Sequence, residues 1–270
     1  MSGGLPRSTP PPVPVYPAHS KRCRRTVQAP VGAVKGPGPA VNARWLVLGL
    51  VSLVAGCGGP RDALLPLEEG TIWRYDLTVQ VGEDTRRSVL EDRSLGRLPG
   101  AEGEAYGLLQ HDGTLNVLAR EEGGLRRVGI ADAAGSMSPL NPPEWVIPPA
   151  GATAWQVSTH TGLIERRVED FEEAAFRLPV ALELTYRVAG TDRRVEVPAG
   201  TFEGCTEFAA AGVREVVRNR RGQLTRVTVE QHDFYCPGIG LALRERSERS
   251  DNPILLKGSY RRALRELRRR

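Results

Sequence analysis

Ile72-Trp73-Arg74-Tyr75-Asp76-Leu77-Thr78-Val79-Gln80-Val81 is the stretch on which the fold turns. Trp73, Tyr75, Leu77, Val79 and Val81 alternate with Arg74, Asp76, Thr78 and Gln80. Period two sustained over the run predicts a strand with one buried and one wet face. A one-residue slip would bury Arg74 and Asp76, so Trp73 and Tyr75 are assigned to the buried face. Working outward, Gly82-Glu83-Asp84 forms a turn and residues 85–95 return antiparallel. Asp112-Gly113 is a strong hairpin signal joining 105–110 to 114–120, and Glu122-Gly123-Gly124 turns the chain into 125–130. Short connections of this kind imply neighbouring antiparallel strands rather than βαβ crossovers. The predicted class is mainly β: a curved antiparallel sheet or half-barrel of short meandering strands.

The second half is read in the same way. Residues 131–151 carry Pro139, Pro142, Pro143, Pro148 and Pro149 without periodicity, and are expected to form a long loop. Ile164, Val168, Phe171, Ala175 and Leu178 recur at four-three spacing, which predicts one amphipathic helix ending before Pro179. A strand over 164–170 followed by a loop is the alternative. Leu182, Leu184, Tyr186 and Val188 alternate again, and two closing strands, 206–218 and 223–235, flank Asn219-Arg220-Arg221-Gly222. From Lys257 onward there are seven Lys/Arg and one acid, Glu266, which is read as a solvated basic tail over 258–270.

Upstream, Arg44 precedes an apolar run over 45–55 that ends in Leu53-Val54-Ala55-Gly56-Cys57. This is the layout of a secretory signal, and its short run would rise only about 16 Å as a helix, too little to span a bilayer. The small-small-Cys ending resembles the lipobox of bacterial lipoproteins, which predicts lipidation at Cys57, a tether over 57–62, and a membrane contact made through that lipid anchor. Residues 1–43 hold Pro10-Pro11-Pro12 and a basic cluster at Lys21, Arg22, Arg24 and Arg25, with no acid. They are expected to be disordered, and translation is expected to begin downstream, near Val41. Seven of the 37 Lys/Arg precede Cys57, leaving 30 against 32 acidic residues in the 214-residue mature chain. The formal charge of +5 for the whole sequence therefore belongs to the leader, and nucleic-acid binding loses its compositional support.

Three motifs then look familiar together: P-L-E-E-G-T-I-W, V-E-V-P-A-G-T-F-E-G-C and F-Y-C-P-G-I-G-L. With the lipobox they resemble bacterial envelope proteins carrying TapB-like domains of unknown function. The resemblance spans most of 65–243 and implies a β-rich, curved antiparallel sheet on the cell surface or periplasmic face. The β-rich domain is expected over 63–257, and Gly58 after the cysteine, in place of an aspartate, suggests outer-membrane retention. It transfers no catalytic residue, and the position of Cys236 departs from its usual pattern.

The search for chemistry returns little. His111, His160 and His232 sit in no zinc-ligand array, and there is no nucleophile elbow, P-loop or dinucleotide fingerprint, so no metal or cofactor is expected. His232 and Asp233 are adjacent in a strand and should face opposite sides. Trp73, Tyr75, Trp155 and Tyr186 are candidates to line an apolar ligand cleft. Once Cys57 is lipidated and the leader with Cys23 is removed, Cys205 and Cys236 remain as a disulfide pair for an oxidising compartment. Geometry agrees: a turn centred between Arg220 and Arg221 makes opposed residue numbers sum to 441, which pairs Cys205 with Cys236 unless Gly212 forms a bulge. The functional expectation is a non-enzymatic, lipid-anchored envelope protein that scaffolds, or binds a protein or apolar ligand. The alternative is an envelope hydrolase with a site assembled from distant residues.

Overall fold

The computed structural model describes residues 64–99, 104–131, 136–166, 176–177, 179–217 and 224–269. All belong to one compact unit, Ala55–Arg270. Cys57, the leader and the tether lie outside the described residues.

The strands are β1 (Ile72–Val81), β2 (Asp84–Arg97), β3 (Ala105–Leu109), β4 (Leu115–Glu121), β5 (Gly124–Ala131), β6 (Met137–Ile147), β7 (Ala154–His160), β8 (Glu165–Arg166) and β9 (Phe176–Arg177). They continue with β10 (Ala181–Val197), β11 (Gly200–Val217), β12 (Leu224–Cys236), β13 (Gly240–Ser250), β14 (Leu255–Leu256) and β15 (Gly258–Arg268). Twelve form one antiparallel sheet in the order β6-β5-β4-β3-β2-β1-β15-β13-β12-β11-β10-β7. The short β14, β8 and β9 form a second sheet. The two edges of the large sheet, β6 and β7, are consecutive in sequence, and the Ser158 N–H donates to Glu144 Oε1 across them at 2.9 Å. The sheet therefore curls into a nearly closed barrel, in agreement with the predicted class.

The opening strand behaves as its alternation requires. Trp73 and Tyr75 are 1% and 3% exposed, and the solvent side of the same strand carries the Arg74–Glu91 ion pair at 2.9 Å. β1 pairs with β2 in unbroken register, and the hairpins predicted at Asp112-Gly113 and Glu122-Gly123-Gly124 join β3, β4 and β5. The β11–β12 hairpin holds the sum 441 throughout, from Thr206↔Tyr235 to Val217↔Leu224, with Glu215 opposite Arg226. Gly212 makes no bulge. It sits in register against Val229, and a Cβ there would collide with the Glu183 carbonyl of β10. Cys205 and Cys236 form the disulfide that this register implies.

Three expectations are corrected. The proline-rich stretch expected as a loop contains β6, which pairs with β5. Proline is tolerated there because β6 is an edge strand and owes no second ladder its N–H groups. The expected helix falls mostly on undescribed residues, including Val168, Phe171, Ala175 and Leu178. At its described ends, Glu165–Arg166 and Phe176–Arg177 are strands paired with each other. Ile164 is wholly buried with Val180, Val227 and Leu255 in a small second core, so its apolar character serves that cluster. Finally, the basic tail is β15, an interior strand between β1 and β13. Alternating arginines read as a solvated end, but Arg262, Ala263 and Leu264 are buried.

Candidate functional site

The inward face of the curved sheet encloses a cavity of about 330 Å³. All four aromatics singled out in the sequence, Trp73, Tyr75, Trp155 and Tyr186, line it. They arrive from three strands. Trp155 on β7 and Tyr186 on β10 are register partners whose rings stack at 5.4 Å and 17°. Phe208 meets Trp155 edge-on at 5.3 Å. Across the cavity, the Trp73 indole N–H donates to the Ile239 carbonyl at 2.7 Å, which holds the ring against the β12–β13 turn. Gly240 in that turn has φ +95°, and a Cβ there would lie 2.9 Å from Trp73 Nε1. The glycines of P-G-I-G thus allow backbone to approach an aromatic ring closely, and Gly238 is likewise at positive φ.

Above this aromatic floor lies a polar tier that sequence reading missed. The inward side of β12 changes from Val227 and Val229 to Gln231 and Asp233, all buried, before returning to Tyr235. Asp233 accepts from Arg244 Nε at 2.6 Å and from Arg244 Nη2 at 2.8 Å, a bidentate pair between register partners on β12 and β13. Arg262 on β15 donates to Asp92 on β2, and its guanidinium lies 3.9 Å over the Tyr75 ring. Arg246 engages all three of its nitrogens: Nε to Glu248 at 2.8 Å, Nη1 to Thr159 and Gln231 at 3.2 Å each, and Nη2 to the His160 carbonyl at 2.8 Å. Glu248 also accepts the Gly162 and Leu163 N–H groups at 2.9 and 2.8 Å. Arg127 and Glu144 pair near the β6–β7 edge. The Gln231 amide donates to the Tyr186 hydroxyl at 2.6 Å.

Burial dominates the acid–base behaviour of the phenols. It pushes Tyr235 up to about 12, against the opposing pull of Arg244, and raises Tyr75 against the pull of Arg262. Tyr186 is raised by burial and then by Asp233. All three are protonated hydrogen-bond donors at neutral pH. Burial alone would lower the Arg244 value, but Asp233 and the neighbouring Tyr260 outweigh it and hold that guanidinium charged.

The histidines fall elsewhere. His232 faces out, bonded through Nδ1 to Glu207 at 2.9 Å, while its neighbour Asp233 faces in, as strand alternation predicts. His111 is exposed in its turn, and His160 contributes its carbonyl to Arg246. Among the described residues no group of three or more His, Cys, Asp or Glu side chains could hold a metal ion. The missed signal lay in β12, β13 and β15. Polar residues at inward positions look like a wet face until paired inward positions on the neighbouring strands show complementary charge, as Asp233 and Arg244 do.

The architecture is thus a nearly closed antiparallel sheet around a mixed aromatic and polar cavity. No family model matches the chain, and no curated protein does. Among solved structures it is similar to a lipoprotein candidate from Parabacteroides distasonis, at 12% identity and TM-score 0.33 over 76% of this chain and 98% of that one. It is also similar to an exported-protein candidate with a YmcC-like fold from Bacteroides fragilis, at 13% identity and TM-score 0.34, with the same coverage.

Proposed function

We propose that this chain is an envelope protein anchored to the outer membrane by lipid at Cys57, which binds a small apolar-bodied ligand inside its curved sheet and performs no reaction on it. The observation that carries this reading is the convergence of Trp73, Tyr75, Trp155 and Tyr186, distant in sequence, on one cavity. Its volume is at the small end of the range for ligand pockets, and its lining combines an apolar and aromatic wall with many polar and charged groups, four of them arginines. The anchor rests on the lipobox, and the outer-membrane assignment on Gly58 standing where an aspartate would favour inner-membrane retention. No nucleic acid is involved, because the mature chain lacks a basic excess.

Native mass spectrometry of the protein purified from bacterial membranes is the direct test. The expected result is a small apolar adduct that is depleted by Trp155→Ala. A ligand-free protein that also fails to take up 1-octanol would remove the binding function.

A further inference from the structure

Within that cavity we propose a headgroup clamp: Arg244 and Arg262 together bind an oxyanion, a carboxylate or phosphate group, carried on the apolar-bodied ligand. The proposal rests on the binding reading above. Arg244 and Arg262 are direct register partners on β13 and β15, and both line the cavity. They are flanked by acids on their outer sides only: Asp233 on β12 holds Arg244, and Asp92 on β2 holds Arg262. Asp233, Arg244 and Arg262 follow one another across β12, β13 and β15, and Asp92 reaches Arg262 from β2, past the intervening β1. Like charges directly opposite each other on neighbouring strands are destabilising, so the middle of this row lacks a negative group.

Hydrogen bonding points the same way. Arg244 spends Nε and Nη2 on Asp233, and Arg262 spends Nη2 on Asp92. Among the described residues no acceptor meets Nη1 of either side chain, and the buried Arg262 Nε has none. Arg246, one ladder position away, has all three nitrogens in use. A buried donor is normally paired, so the bare Arg262 Nε marks a missing acceptor beside this pair of cations. The two guanidiniums also act on the same phenols, since each opposes the upward shift of both Tyr75 and Tyr235. Arg244 retains 25% side-chain exposure, against 8% for Arg262, and is therefore the cation a ligand meets first. A carboxylate or phosphate offers two or more acceptor oxygens to such a fork, whereas a hydroxyl offers one.

Calorimetric titration of the full chain carrying Cys57→Ser, so that no attached acyl group competes, tests this with octanoate, octyl phosphate and 1-octanol. The expected result is at least tenfold tighter binding of one or both anions than of 1-octanol. Octanoate against octyl phosphate then distinguishes a carboxylate from a phosphate headgroup. Arg244→Gln alone would orphan the buried Asp233 carboxylate, so the decisive variant is Arg244→Gln with Asp233→Asn, which removes the pair together. It should lose the preference for anions over 1-octanol, whatever its absolute affinity for 1-octanol. Equal binding of all three ligands, or an anion preference that survives the double variant, overturns the clamp and leaves the apolar site standing. Failure of all three to bind overturns both.

Discussion

Trp73 joins the floor of the cavity to the wall of the molecule, because its ring is buried while its N–H holds the Ile239 carbonyl. Truncation would leave both a void and an unpaired carbonyl. Trp73→Ala should cost roughly 3–5 kcal/mol and lower the thermal unfolding midpoint, whereas an unchanged midpoint would mean the strand faces are reversed. Gly240 is its counterpart. An alanine there would carry both a positive φ and a contact with the indole, so Gly240→Ala should destabilise where most exposed substitutions would not. Tyr235 makes a pH prediction. Its folded-state value is raised from 10.0 to about 12, so below pH 10 the phenol is protonated in both states and its contribution is fully present. As pH rises from 10 towards 12 the unfolded chain releases the proton first, and stability falls. Denaturant midpoints measured across that window should drop for the natural sequence and drop less for Tyr235→Phe.

Among the elements, the β11–β12 hairpin carries the clearest consequence. One turn position sets a register that places Cys205 against Cys236, Glu215 against Arg226 and Phe208 against Asp233. The disulfide closes a loop across a sequence separation of 31, for which chain entropy suggests about 3–4 kcal/mol. Replacing both cysteines by alanine should lower the denaturant midpoint accordingly. Non-reducing peptide mapping of exported protein should recover the linked pair, and two free thiols there would refute it. β15 shows the opposite lesson about elements. The seven Lys/Arg from Lys257 onward, four of them in β15, suggested a tail, yet the strand is paired on both sides, by β1 and β13. Deleting it would expose two ladders at once, so truncation before Gly258 should abolish folding rather than trim an end.

At the scale of the whole molecule, the sheet nearly closes because β6 and β7, adjacent in sequence, are its opposite edges. Closure creates an interior large enough to hold a ligand while every cavity guanidinium keeps a carboxylate partner. If Cys57 carries the proposed lipid, the bilayer becomes the natural source of an apolar-bodied ligand. Cys57→Ser should release the protein into soluble fractions, because burial of each acyl methylene contributes about 0.8 kcal/mol to anchoring. Retention after a carbonate wash would place the anchor elsewhere.

Sequence by itself determined the antiparallel class, the buried face of β1, the first hairpins and the disulfide, because these depend on local period, turn chemistry and a register countable from one turn. It also picked out the four aromatics, which stand out by residue type. Tertiary structure alone decided that they share a cavity, that β6 and β15 are strands, and that Asp92, Asp233, Arg244 and Arg262 form an inward row. The physical reason is that a polar residue is tolerated inside only when the folded sheet brings it a partner. Asp92 and Arg262 are 170 positions apart, and no local pattern reveals a pair that strand order brings together.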